Sequence, residues 1–252
     1  MPYTAIDAVF AAVQQGQAER GIVPIENSCE GSVNQTLDLL AYEYDLQIAA
    51  EMILPVKHNL LVRPGVQAED ISRIISHPQA IAQCRKYLAA HFPTLEHVDT
   101  TSTAEAARRV AQSAEAWAAI GTDAAARSYG LVILSSEIQD RPNNETRFII
   151  LARESSPLLP NAKTSLVLYL LDQPGALFKA LEQFYLNNIN LTKIESRPAQ
   201  TRIGDYLFFI DIVGHQLEPH VQKALAGLNS IAHEVRILGS YPAASAFWHL
   251  VG

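Results

Sequence analysis

One change of periodicity constrains this chain more than any other feature. Up to about Glu154, helical and strand patterns alternate. After ESSPLLPNAKT (Glu154 to Thr164), which has the Pro, Ser and Asn content of a linker, the order becomes strand, helix, strand, strand, helix, strand. The first half opens with an acidic variant of the capping box at Thr4 to Asp7 and a helix reaching Gly16. A strand at Gly21 to Glu26, a helix from Ser32 to Tyr42 and strands in IAAEMILPV and HNLLV follow. Next come a strand at Ile74-Ile75, a helix from Pro78 to His91, a strand around His97-Val98, a capping box at Ser102 to Glu105 that opens a helix, the strand WAAIG and a helix from Thr122 to Tyr129. This alternation predicts an α/β fold with largely parallel sheets, where ligands gather at the carboxyl ends of strands. The second half, with strands SLVLYLL, Leu191 to Ser196, Asp205 to Val213 and Val235 to Leu238 around helices Ala176 to Leu186 and Pro219 to Leu228, predicts a ferredoxin-like βαββαβ unit.

Composition narrows the function. The chain has 252 residues, 48% of them hydrophobic, and a net charge of -7. It can bury a sizeable core, and it carries no Lys/Arg-rich run of the kind that binds nucleic acid or an anionic membrane. Cys29 and Cys84 are far apart and without metal-ligand spacing, so neither a disulfide framework nor a bound metal is expected. No apolar run is as long as a membrane span and no signal-peptide pattern opens the chain, which points to the cytoplasm.

The motifs with chemistry lie at strand-to-helix junctions: Glu26-Asn27-Ser28, Ser76-His77-Pro78-Gln79, Thr100 to Thr103 and Gly121-Thr122. No nucleotide fingerprint, P-loop, G-x-S-x-G elbow or H-E-x-x-H occurs. Hydroxyls and amides beside helix N-termini suit a small polyanion with no cofactor, because free backbone N–H groups and the helix dipole both favour negative charge there. Taken one at a time, Ser28, Ser32, Ser102 and Thr122 read first as helix caps, and Arg147 could pair structurally with Asp140 or Glu145; it is the recurrence of such clusters at successive junctions that favours a site. In RPNNETRFIIL (Arg141 to Leu151), Pro142 and Asn143-Asn144 shape a turn before Thr146 and Arg147, and Phe148 to Leu151 anchor them on a strand.

PIENS (Pro24 to Ser28), EGSV (Glu30 to Val33), HPQ (77 to 79), STAEAA (102 to 107) and D-x-x-x-N-x-T-R-F (Asp140 to Phe148) together resemble prephenate dehydratase. PGALF (Pro174 to Phe178) and ESRP (Glu195 to Pro198) resemble its regulatory ACT domain. The resemblance implies a two-lobed, periplasmic-binding-protein-like catalytic domain over residues 1–153 and an ACT domain over 164–240. It implies a cofactor-free reaction in which prephenate loses carbon dioxide and water to give phenylpyruvate. Thr146 is then the catalytic residue, a positioned hydrogen-bond donor to the departing oxygen. Asn27, Ser28, Gln79, Ser102, Thr103, Arg147 and Phe148 are expected around the substrate, with the Arg147 fork suited to a carboxylate. Gly175, Ala176, Leu177, Glu195, Ser196, Arg197 and Pro198 are expected to bind L-phenylalanine as effector, with Gly175 allowing close backbone approach. Homodimers or homotetramers through the ACT domains are the expected assemblies.

Members of this family usually begin with a strand and a Gly-Pro-x-Gly-Thr-type turn. The chain starts at Met1-Pro-Tyr-Thr, after that segment, and the expectation is a shortened start. With no chorismate-mutase-like helical region in view, a monofunctional dehydratase is expected. The alternatives are an arogenate dehydratase and a catalytically impaired, phenylalanine-sensing paralogue.

Overall fold

The computed structural model describes residues 1–199 and 206–244. Its elements begin with helix α1 (Ile6–Gln14), strands β1 (Gly21–Asn27) and β2 (Gly31–Ser32), helix α2 (Asn34–Asp38) and strands β3 (Gln47–Pro55), β4 (Asn59–Val62) and β5 (Arg73–Ser76). Helices α3 (Pro78–Gln83) and α4 (Arg85–His91), strand β6 (Glu96–Asp99), helix α5 (Thr103–Gln112), strand β7 (Trp117–Gly121), helix α6 (Asp123–Tyr129) and strand β8 (Val132–Ser135) follow. The remainder is β9 (Glu145–Ala152), β10 (Ala162–Leu170), α7 (Ala176–Leu186), β11 (Leu191–Pro198), β12 (Tyr206–Val213), α8 (Pro219–Asn229) and β13 (Glu234–Pro242). Asp205, the expected first residue of β12, lies outside the described residues.

The chain divides into two compact units, Met1–Leu54 with Thr146–Gly252, and Pro55–Glu145. The first unit holds two four-stranded sheets, ordered β2-β1-β9-β3 and β11-β12-β10-β13. The second sheet, with α7 and α8 in its crossovers, is the expected ferredoxin-like arrangement. Its two faces read directly from alternation along the strands. Leu166, Leu168, Ile210 and Ile212 pack with Ala180, Phe184, Val221 and Leu228 of the helices. On the other face Val167, Leu207, Phe209, Leu238 and Tyr241 share a core with Phe10, Val13, Leu37, Leu40, Ile149 and Leu151 around the first sheet. Each such apolar side chain contributes about 1.5–3 kcal/mol by leaving water, so this shared core holds the two sheets as one body. Gly239 lies at a close approach between them. It adopts φ +147, and a Cβ there would meet the Ile48 backbone of β3 at under 3.0 Å.

The second unit is a five-stranded sheet, β6-β5-β7-β4-β8. Leu60, Ile74, Ala118 and Ile120 pack with Ala80, Cys84 and Leu88 on one face, and Leu61, Ile75 and Ala119 with Ala106, Val110 and Ala126 on the other. Parallel pairing is confined to β6-β5-β7, and β4 and β8 join antiparallel. The first sheet also pairs β1 with β9 antiparallel. The expectation of largely parallel sheets therefore holds for the core of the second unit and fails for its outer strands and for β1 with β9. Alternating strand and helix in sequence does not fix direction when a strand such as β9 returns from a distant part of the chain.

Several local readings shift. The N-cap of α1 is Ala5, without a side-chain bond, so Thr4 sits one residue too early to cap. The predicted helix from Ser32 begins only at Asn34, because Gly31-Ser32 pairs with β1; its last turn, Leu39–Glu43, is π-helical. The predicted helix Pro78 to His91 breaks at Cys84 into α3 and α4. Among the described residues, no helix is long and apolar enough to cross a membrane.

Candidate active site

In the first sheet, Asn27 of β1 stands opposite Thr146 of β9, and Glu26 opposite Arg147. Successive residues of a strand project to opposite faces, so the two cross-strand pairs face opposite ways. The Asn27 Oδ1 accepts from the Cys29 N–H at 2.9 Å, an Asx-type turn that fixes the amide. Its Nδ2 then donates to Thr146 Oγ1 at 2.9 Å. Because the amide is the donor, the Thr146 proton is not used in this bond. A hydroxyl that accepts one hydrogen bond is polarised to donate another. Phe148 lies two residues further along β9, half-buried on the Thr146 face, and Ser28 is exposed just beyond Asn27.

Arg147 was expected at a substrate carboxylate; the carboxylates it holds are the protein's own. Its side chain is only 11% exposed. Nε donates to Glu51 of β3 at 2.7 Å, Nη1 to Asp211 of β12 at 2.6 Å, and Nη2 to Tyr241 of β13 at 2.9 Å. Ser165 of β10 donates to Asp211 at 2.5 Å and lies 2.6 Å from the Tyr241 hydroxyl. Since the Ser165 proton goes to Asp211, Tyr241 donates to Ser165. Glu51 also receives Lys163 Nζ at 2.8 Å and the Ala244 N–H at 2.9 Å. Burial works against the Arg147 charge, but Tyr241, Asp211 and Glu51 outweigh it and raise the guanidinium above its ordinary value. Burial, with Asp211 beside it, likewise pushes the Tyr241 phenol upward.

The second unit carries Gln79, Ser102 and Thr103. The parallel strands β5, β6 and β7 end near the starts of α3, α5 and α6, so the polar clusters do sit at carboxyl ends. Ser102 caps α5, its Oγ accepting from the Glu105 N–H at 3.0 Å, and Thr122 caps α6. Glu105 does not complete the capping box. Hydrogen bonds from Arg108 and then Arg109 hold its carboxyl down at about 2. Gln79 is exposed, with its backbone N–H on His77 Nδ1. Cys84 is no nucleophile here: burial, then Asp140, pushes its thiol up to about 12. Among the described residues, no group of three or more His, Cys, Asp or Glu is placed to hold a metal ion.

The expected effector residues divide. Gly175 adopts φ +79 as the N-cap of α7, and a Cβ there would meet nothing within 4 Å. Its glycine thus answers to backbone conformation, since no protein atom crowds it. Ala176 and Leu177 are partly buried against the helix-side core. On β11, Ser196 and Pro198 are exposed, whereas Glu195 bonds Ser32 of β2 and Arg197 pairs with Asp38 of α2 at 2.8 Å.

The family model for prephenate dehydratase matches residues 1–156, and the ACT domain model matches residues 164–229. The chain belongs to the prephenate dehydratase family. A prephenate dehydratase of Mycolicibacterium vanbaalenii is 44% identical over 93% of this chain and 76% of its own length. A bifunctional chorismate mutase/prephenate dehydratase of Pseudomonas aeruginosa is 44% identical over 96% of this chain, which spans only 66% of that relative. The crystal structure of a prephenate dehydratase from Arthrobacter aurescens in complex with L-Phe is similar at TM-score 0.88 and 39% identity, covering 97% of this chain and 82% of that one. The fold class is the one expected: α/β, with a periplasmic-binding-protein-like dehydratase region followed by an ACT domain.

Glu51, Lys163, Asp211 and Tyr241 were not singled out from the sequence, and Glu26 was named only within the Glu26-Asn27-Ser28 junction. The available signal was a charge inside an apolar strand: Glu51 in QIAAEMILP, Asp211 in YLFFIDIV and Arg147 in ETRFIILA. Such a residue is buried with a partner or does not sit in that strand at all.

Proposed function

We propose that the protein is a prephenate dehydratase with residues 1–153 as catalytic domain and 164–240 as regulatory ACT domain. The bond from the ring to its carboxylate breaks and releases carbon dioxide. Its electron pair enters the ring as the new double bond, and the ring C–O bond breaks as hydroxide departs. Aromatisation drives the step, so the protein has to orient the dicarboxylate and help hydroxide leave. The observation that carries this reading is the Asn27 amide on Thr146 Oγ1, which orients the hydroxyl as a donor to the leaving oxygen. Phe148 offers an apolar wall on the same face as Thr146. Ser28, Gln79, Ser102 and Thr103 are the remaining proposed donors to substrate. A cytoplasmic location fits the two free cysteines.

L-Phenylalanine is the proposed effector. The N-terminus of α7 at Gly175, Ala176 and Leu177 takes its carboxylate, and Ser196 and Pro198 are exposed on β11. Glu195 and Arg197 belong to the same run but reach β2 and α2, which suits residues that pass on the effect of binding. A homodimer or homotetramer through the ACT domains is supported by the exposed Phe178, Tyr185 and Leu186 on α7 and Ile194 on the edge strand β11.

The test is turnover of prephenate by the purified chain, followed as phenylpyruvate, with Thr146→Ala alongside. Turnover that survives Thr146→Ala removes the mechanism. No turnover while phenylalanine still binds favours a sensing protein. Saturating phenylalanine that changes neither rate nor melting temperature removes the regulatory reading.

A further inference from the structure

Thr146 and Arg147 are adjacent on β9, about 3.8 Å apart at Cα, and face opposite ways. The fork needed to hold a substrate carboxylate is already occupied. Glu51, Asp211 and Tyr241 each take one guanidinium nitrogen. A third carboxylate would arrive beside Glu51 and Asp211 and repel both.

Two of those partners belong to the second sheet, and they are themselves locked. Arg147 donates to Tyr241, Tyr241 to Ser165 and Ser165 to Asp211, which also accepts from Arg147, so the ring of hydrogen bonds closes on the Asp211 carboxylate. The opposite residue on β1 is held from the same side. Glu26 lies 3.1 Å from Lys193 of β11 and 3.7 Å from Arg147. Lys193 in turn lies 3.3 Å from Glu195. Both neighbours of the Asn27–Thr146 pair are therefore gripped by the ferredoxin-like sheet.

We propose that Arg147 is a positioning residue, through which the second sheet sets where the Thr146 hydroxyl stands. This rests on the reading of Thr146 as the donor to the leaving group. Strands are stiff along their length, and a misplacement of about 1 Å at a reacting group costs roughly 100-fold in rate. Small displacements of β12 or β13 then change turnover while leaving substrate affinity alone.

The experiment uses the full chain labelled with 13C at threonine methyl groups, as parent, Arg147→Lys, Asp211→Asn and Tyr241→Phe. Steady-state kinetics with prephenate are measured beside the Thr146 methyl resonance and a thermal melt. Asp211→Asn and Arg147→Lys are expected to lower kcat by about 10-fold or more, with KM within about 2-fold, and to move the methyl resonance. Tyr241→Phe keeps the ring in the core, so it remains folded if the other variants do not, and moves both readouts in the same direction by less. A 10-fold rise in KM with kcat retained in Arg147→Lys would place the guanidinium on substrate and overturn the proposal. Unchanged kcat and an unmoved resonance in folded Asp211→Asn or Tyr241→Phe would overturn it too. A parent that does not turn over prephenate removes the reading of Thr146, and the methyl resonance alone then decides the coupling.

Discussion

The two sides of one strand pair solve opposite problems. On one side, Asn27 and Thr146 are neutral, half-buried and joined by a side-chain hydrogen bond. On the other, Glu26 and Arg147 enter a buried ionic network in which each guanidinium nitrogen has an acceptor. A weak donor such as a threonine hydroxyl gains nothing from strength; it works by being in the right place. A buried cation, by contrast, is tolerable only when it is paired and hydrogen-bonded. On the proposed reading of Thr146, one residue of the strand offers the reacting group while its neighbour fixes the strand.

The comparison breaks most visibly at Glu51, whose side chain is fully buried and serves Arg147, Lys163 and the Ala244 N–H at once. Glu51→Ala leaves buried cations with lost partners, and the expected loss is about 3–5 kcal/mol by chemical denaturation. Lys57→Ala is the control. Its partner is Glu137, and both side chains are about half exposed, 55% and 53%. Its removal should change stability by about 0.5 kcal/mol or less. Similar losses from the two would mean that the Arg147 network is no more than a surface pair.

On the opposite side, the hydroxyl itself is at issue. Thr146→Val keeps the shape and removes the donor, so kcat should fall by about 100- to 1,000-fold with little change in melting temperature. Thr146→Ser keeps the donor and should retain most of the activity. A Val variant as active as the Ser variant would show that the methyl group, and not the hydroxyl, is what this position supplies.

How much of this was legible in the sequence follows from the range of the interactions. The ferredoxin-like half was readable because its strands and helices announce themselves locally, and α7 spans the predicted Ala176–Leu186. The caps at Ser102 and Thr122 were readable for the same reason: each side chain reaches a backbone N–H three residues on. Thr146 was singled out through the resemblance of its surroundings, but its Asn27 partner lies 119 residues away, and pattern alone gives no pairing of β1 with β9. The role of Arg147 was hidden by the same distance. A bidentate fork beside a proposed substrate site suits any carboxylate, and only the approach of β12 and β13 decides that Asp211 lies within reach. The parallel expectation held for β6-β5-β7 and failed for β4, β8 and the β1–β9 pair, since the direction of a strand is set by which neighbour it meets.

A smaller effect tests how closely the two sheets of the first unit must meet. Gly239 holds φ +147 with its Cα against the Ile48 backbone, so Gly239→Ala must either strain β13 or push it off β3. The expected cost is about 1–3 kcal/mol. If the sheets part, turnover should fall by more than stability alone explains, because Arg147 links β9 to β13 through Tyr241. A destabilised variant with unchanged kcat would mean that Thr146 is held within its own sheet.

The smallest effect contrasts a buried cation that is fully matched with a buried base that is not. His58, only 5% exposed, has its Nε2 at 2.8 Å from Gln83 Oε1, while Nδ1 has no partner among the described residues. Burial lowers its pKa and the Gln83 bond only partly offsets that, so the folded protein favours neutral imidazole. A folded pKa below the unfolded value of about 6.5 contributes stability above that pH, and this is lost as pH falls toward the folded value. The melting temperature of the parent should therefore decline as pH drops below about 6.5, and His58→Gln, which does not titrate there, should flatten that decline. An equally steep decline in the variant would assign the acid sensitivity to other groups. Arg147, whose charge is matched on every nitrogen, contributes no titration in this range, and that is the difference between a satisfied and an unsatisfied buried nitrogen.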